Sequence, residues 1–332
     1  MFKKSYVYHF KATASTVPNN LFALSYSNEL ICGIVHKNSV CLFTGIDLSN
    51  ISYRHIFCEN GSNSLSSGII ISIGVIYLHS KPALAILKED VFYIYETNGS
   101  GLLFSVDSMK IDPDHSFCCF AAINSSYIYI GTDNGYFLKF EILSSDVVQF
   151  KGCMRAHNSS MICMSADDKW LASADENSTI QFWKSTTEST LDLISKYSPP
   201  NNDVLSQPST MVMLTEKRVC AVGFTNGRLC LFNCETGRLL AEICAHSKII
   251  TGLAFKVDVL ISVSEDTICR IWRIGSGTDS RGDEKPSASV SLIQSNIVAD
   301  QMLQGVAFTG RKGMEFVISS YDSNEVHSFI QS

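Results

Sequence analysis

Ser262, His246 and Asp266 are the residue types of an acyl-transfer site. A serine hydroxyl becomes a nucleophile when an imidazole takes its proton and a carboxylate orients that imidazole. The chain holds a second, earlier set: His157 and Ser173 are 16 residues apart, as are His246 and Ser262. Trp183 and Trp272 each follow their histidine by 26 residues, and Asn177 stands where Asp266 stands in the later set. A hydrolase needs one exposed set beside an oxyanion hole; it has no use for two sets with matched tryptophans. Ser262 also lies inside an apolar run, not on a Gly-x-Ser-x-Gly elbow. The spacing points instead to hydrogen-bonding fixtures. Asp266 accepts from the His246 ring, His246 bonds Ser262, and Ser262 accepts from the Trp272 indole. Each group is costly to bury alone. Asn177 accepts without bringing a charge, so the earlier set is expected to be held less firmly. No catalytic residue is assigned, and the chain is read as a non-enzyme.

Other chemistries find little support. No Gly-x-x-x-x-Gly-Lys or Gly-x-Gly-x-x-Gly loop occurs, so no cofactor is expected. Asp112-Pro113-Asp114-His115 has metal-ligand types but reads as a turn. The 12 cysteines include no Cys-x-x-Cys pair. Cys118 and Cys119 are adjacent and point to opposite faces of a strand, and Cys230 and Cys234 lack a second close pair. Zinc wants two close pairs, so no metal is expected and the thiols are read as small buried hydrophobes. The formal charge is −6 with no basic block, which argues against nucleic acid. The longest apolar run, Gly68–Leu78, falls short of the ~20 residues of a membrane span. Lys3 and Lys4 precede an alternating stretch, not the apolar core of a signal peptide, so a cytoplasmic location is expected.

The elements that must position these residues are hairpins. Leu260–Ser264 and Ile268–Trp272 are two strand-length runs about a polar turn, with Ile268, Arg270 and Trp272 on alternate positions. The same gapped frame recurs 89 residues apart, the mark of a repeat protein. Seven hairpins carry an aromatic ten residues after a position on their first strand, as Trp272 follows Ser262, at positions 43, 95, 140, 183, 232, 272 and 329. The gaps of 40 to 57 residues bracket a repeat of about 40–45 with insertions. Asn134-Gly135 and Asn226-Gly227 are strong tight-turn signals, because Asn and Gly tolerate positive φ. With 332 residues, 45% of them hydrophobic and 17% charged, the chain can bury a large core.

The His, Ser, Asp and Trp frame resembles the WD-repeat family, in which each repeat is one blade of a β-propeller. The expected fold is therefore all-β, a single seven-bladed propeller over residues 1–332 with an N-terminal strand closing the last blade. Blade seven has only three strands before Ser332, and residues 3–10 have no other home, so they should form its outer strand and remove an open edge. Two segments interrupt the rhythm. Residues 275–289 read as a flexible loop within blade six, with Arg281-Gly282-Asp283 a chance match, and Pro199, Pro200 and Pro208 bar strand in the second.

Blades five to seven are similar in more detail to the WD repeat-containing protein 54 family. The resemblance rests on Gly223–Gly237, Ala245-His246, Ser264–Thr267, Ile271-Trp272 and Val298–Gln301, with Tyr95–Gly99 and the opening residues in support. It implies a non-catalytic scaffold whose partners are other proteins. Propeller partners meet the rim beside the His and Asp positions. That directs attention to Lys248, Glu265, Phe224 and Tyr321, with Asn158, Ser159, Glu176 and Thr225 as a polar surround. Two other propeller classes share this fold. A phosphoinositide-reading propeller carries an Arg-Arg motif, and no Arg-Arg pair occurs here. A ubiquitin-ligase substrate receptor wants an acidic residue after the blade Trp and an Arg two further on. Trp272 is followed by Arg273-Ile274-Gly275, and Trp183 by Lys184-Ser185-Thr186. Self-association into a homo-oligomer is compatible with the modest charge and with the degraded blades one and two.

Overall fold

A computed structural model describes the chain except for residues 46–50, 58–67, 112–114, 187–189, 201–205, 279–283 and 311–313; side chains of 57, 276–278 and 284–288 are likewise not described. The described residues form seven four-stranded antiparallel sheets. Six of them take four consecutive strands; the seventh takes three C-terminal strands and the N-terminal strand Phe2–His9. That strand pairs with Glu325–Gln331, Lys3 opposite Ile330 and His9 opposite Glu325. The fold is thus the seven-bladed propeller expected, closed through its termini.

Each blade is buried on both faces, because successive side chains point to opposite sides of a strand. The second strands show it best: Trp170–Asp175, Val219–Phe224 and Val259–Ser264 are buried throughout. The described core divides into seven apolar clusters, each shared by two neighbouring blades. Each aromatic of the repeat lies on the third strand of its blade.

A second regularity was not expected. In six blades the inner strand carries a register irregularity just after its first residue, as between Pro208 and Thr210 or Ile250 and Gly252. A bulge of this kind inserts one unpaired residue and turns its side chain aside. Two such residues bond to the next blade. Ser209 Oγ donates to Ile250 O at 2.6 Å, and Thr251 Oγ1 donates to Leu303 O at 2.7 Å.

Two loop expectations need correction. In blade six the third strand runs Ile268–Thr278 and the outer strand Glu284–Ile297, paired out to Thr278 opposite Glu284. Extending an antiparallel ladder gives each added backbone group a partner. Most of 275–289 is therefore hairpin, and Arg281-Gly282-Asp283 lies outside the described residues. Pro208, expected to bar strand, opens the inner strand of blade five opposite Phe224. The first residue of a strand can do without an N–H donor.

Candidate functional site

His246 sits on the link between the outer strand of blade five, Leu239–Cys244, and the inner strand of blade six, Ile250–Lys256. Ser262 and Trp272 lie on the second and third strands of blade six, and Asp266 lies in the turn between them. Folding the link over the hairpin brings all four together. Trp272 Nε1 donates to Ser262 Oγ at 3.0 Å. Ser262 Oγ lies 2.8 Å from His246 Nε2, and His246 Nδ1 is 3.0 Å from both Asp266 oxygens. Burial pushes the His246 pKa down, against the pull of Asp266. The imidazole is thus neutral, so the Ser262 hydroxyl donates to Nε2 and Nδ1–H donates to the carboxylate. Burial alone would raise the Asp266 pKa. The Ser247 and Ile268 amides and His246 outweigh it and hold the carboxyl below the usual range.

Blade four repeats the chain with a different acceptor. Trp183 Nε1 donates to Ser173 Oγ at 3.0 Å, and Ser173 Oγ lies 2.8 Å from His157 Nε2. His157 Nδ1 then meets Asp175 Oδ2 at 3.0 Å. Asn177 is not in this network; its side chain is exposed and only its backbone N–H reaches Asp175. Asp175 occupies the ladder position of Ser264 in blade six, two residues before that of Asp266. From the end of the strand its carboxylate still reaches the histidine and also accepts from the Asn177 and Thr179 amides. The Asp175 pKa, which burial alone would raise, is held low by His157 and the Thr179 amide. Blade four therefore carries a charged acceptor, and the expected weakness does not arise.

The preceding blades lock both histidines in place. His246 N donates to Gly227 O, and His157 N donates to Gly135 O, each at 2.9 Å. Both glycines have positive φ, +83° and +84°. A Cβ on Gly227 would sit 2.1 Å from His246 O, and one on Gly135 would sit 2.4 Å from His157 O. The Asn-Gly turns of blades three and five thus serve the following blade as well as their own.

A third tie has no counterpart in the sequence reading. Ser319 stands ten residues before Phe329, as Ser262 stands before Trp272. Ser319 Oγ donates to Asn20 Oδ1 at 2.6 Å, and both side chains are fully buried. The serine of the repeat frame was the available signal; the asparagine, nearly the whole chain away, was not.

Chemically, the Ser262 and Ser173 sets have the order of a hydrolase triad and lack its access. Both serines are 0% exposed, and each oxygen also takes an indole N–H. Such a chain can fix a blade; it cannot present a nucleophile. Among the described residues no cluster of His, Cys, Asp and Glu could hold a metal ion. Residues 112–114 lie outside the described residues, and His115 faces Asp133 at 3.5 Å.

The rim above these networks is more varied than expected. Lys248 is exposed, Glu265 is half-buried, and Tyr321 is 42% exposed on the blade-seven turn. Phe224 is withdrawn from the rim at 6% exposure. Its ring turns into the cluster between blades four and five, with the Arg228 guanidinium 6.0 Å from its centroid. No helix among the described residues is long and apolar enough to cross a membrane.

Comparison with known proteins extends over the same ground. The family model WDR54 matches residues 1–332. WD repeat-containing protein 54 of Homo sapiens is 25% identical over 338 residues, covering 96% of each chain. Its Mus musculus counterpart is 24% identical over 348 residues, covering 99% of each. In fold, the chain is similar to Raptor of Chaetomium thermophilum, with TM-score 0.71 at 12% identity, covering 99% of this chain and 29% of that one. A chain of a mitotic checkpoint complex gives TM-score 0.69 at 16% identity, covering 99% and 95%.

Proposed function

The chain belongs to the WDR54 family, and on that premise we propose that it is a non-catalytic cytoplasmic scaffold that binds other proteins through its propeller rim. One observation carries this reading. The groups of catalytic type are spent inside the blades on Trp183 and Trp272, while Lys248 and Tyr321 stand exposed on the rim above. Four buried thiols fit the same picture. Burial pushes those of Cys32, Cys119, Cys220 and Cys269 up, so they pack as hydrophobes and do not react.

The test is proximity labelling in cells, comparing the wild type with a Lys248→Glu, Tyr321→Ala double variant whose fold is checked by circular dichroism. A discrete set of labelled proteins that disappears with the folded variant is the expected result. Labelling unchanged by the variant removes this rim from consideration. An absence of specific labelling counts against the scaffold itself.

A further inference from the structure

Neighbouring blades meet at clefts that the ladders align position by position. Gly223 opposite Leu229 in blade five corresponds to Gly131 opposite Phe137 in blade three. Phe224 therefore corresponds to Thr132 and Arg228 to Tyr136. Across the outer ladders, Glu242 corresponds to Cys153.

Between blades four and five the chain fills its own cleft. Phe224 turns inward, Arg228 lies over its ring, and Arg228 Nη1 bonds Glu242 Oε1 at 2.9 Å. Only about 30 Å³ remains. Between blades two and three Thr132, Tyr136 and Cys153 supply no such plug, and a cleft of about 420 Å³ stays open. That is within the ~300–1,000 Å³ of ligand pockets. Its wall is apolar, from Ile111, Phe117, Leu138 and Phe150, and Phe150 is 41% exposed.

Two further features surround the cleft. The outer strand of blade three, Val148–Arg155, pairs on one side only, so its far edge offers free backbone groups. Gly152 on that strand meets no atom within 4 Å of its Cβ position. Beside the cleft Asp133 faces His115 at 3.5 Å, while Lys151 is tied to Glu141 at 2.7 Å toward the opposite face of the blade, where Glu141 meets Tyr127. Arg155 lies over the Tyr136 ring at 5.7 Å and has no acidic partner among the described residues.

We propose that this cleft docks an extended acidic segment of a partner protein. The segment adds to the open edge of Val148–Arg155, places one aromatic side chain in the cleft, and sets a carboxylate against Arg155. The aromatic takes the place that Phe224 takes in the sister cleft, and the carboxylate pairs with Arg155, the ladder partner of Tyr136. Strand addition supplies the affinity, and the cleft supplies the choice of side chain. The inference rests on the scaffold reading but names a surface apart from Lys248, Glu265 and Tyr321.

Cys153 is exposed and lines the cleft, so it reports occupancy; Cys244, exposed on blade five, is the internal control. The probe is the peptide acetyl-Ser-Asp-Glu-Trp-Glu-Ser-amide, added to the full chain during iodoacetamide alkylation followed by mass spectrometry. At ten times its Kd, the peptide should slow Cys153 about tenfold and leave Cys244 unchanged. The same peptide with Ala for Trp, and the wild-type peptide on Arg155→Glu or Thr132→Phe, should give no comparable slowing. Arg155 is exposed, so Arg155→Glu tests the charge without disturbing the core. Cys153 unprotected up to about 1 mM peptide, or Cys153 and Cys244 slowed alike, overturns the proposal. If Cys153 stays unprotected while the Lys248→Glu, Tyr321→Ala variant loses its labelled partners, the cleft falls and the scaffold stands.

Discussion

Trp272, Ser262, His246 and Asp266 form a one-way relay in which each group donates to the next and the carboxylate ends the chain. Removing the terminal acceptor leaves a buried imidazole N–H without a partner, which costs about 1–3 kcal/mol. Asp266→Ala and Asp175→Ala should each lower unfolding free energy in urea by that much. Asn177→Ala, on an exposed turn, should stay within about 0.5 kcal/mol. Equal effects at positions 175 and 177 would contradict the hydrogen-bond assignment. The fixed gap from histidine to tryptophan made all four members of the blade-six network readable in the sequence, and three of those in blade four. The fourth there was not, because a carboxylate two residues before Asn177 reaches the same nitrogen. Gly227 and Gly135 were readable as turn formers, but their contact with the following blade requires knowing which link folds over them. Gly227→Ala combines a φ of +83° with a Cβ placed 2.1 Å from a carbonyl oxygen. Backbone strain alone at such a site costs about 1–3 kcal/mol, and thermal melts should show at least that loss.

Single strands carry the next level of organisation. Thr251 and Ser209 each tie an inner strand to the blade that follows. Thr251→Val keeps the shape and removes the donor to Leu303 O, so it should cost about 0.5–1.5 kcal/mol in denaturant unfolding. The bulges that aim these hydroxyls were hidden in the sequence. One extra residue shifts a period of two, and within Ile249–Gly252 or Leu303–Gly305 nothing marks the slip. The closing strand is sensitive to pH. His327, opposite Val7, is buried, with Nε2 at 3.2 Å from Gln301 Oε1 and 3.6 Å from Glu325 Oε2. Lys4 and His9 face the same group from the N-terminal strand. Burial, helped by Lys4 and His9 against Glu325, pushes the His327 pKa down; His246 is lowered as well. The unfolded chain therefore binds protons first, below the ordinary histidine value of about 6.5. Stability is full above that pH and falls as the solution is acidified. The lowered Asp175 and Asp266 add losses that begin near the ordinary carboxylate value of about 3.9. Melting temperature measured from pH 7.5 to 5 should drop, and His327→Gln should flatten part of that drop. A melting temperature that does not change with pH would refute the assignment.

Taken whole, the molecule is a ring with one seam. Seven aromatics 40 to 57 residues apart, one strand short at the C-terminus and one strand over at the N-terminus made both the ring and its seam legible. The filling of the clefts was not legible, because it depends on which of two blades claims a residue such as Phe224. The seam is held by more than the ladder. Gln294, on the outer strand of blade six, accepts from Phe2 N at 2.8 Å and donates to Phe2 O at 2.7 Å, acting as one more strand. Phe2, Tyr8 and Phe10 are buried there, each worth about 1.5–3 kcal/mol. Deleting residues 1–10 should raise amide hydrogen exchange along Glu325–Gln331 far more than in blade three. Uniform protection would show that the seam is not what holds blade seven. The same pairing sets an order of events in time. Ser332 donates its backbone N–H to Met1 O, 331 positions earlier in the chain. A ribosome adding about 5–20 residues per second needs roughly 15–65 s to cover that distance. Throughout that interval Phe2–His9 lacks its partner Glu325–Gln331, so this strand is among the last to settle however early it is made.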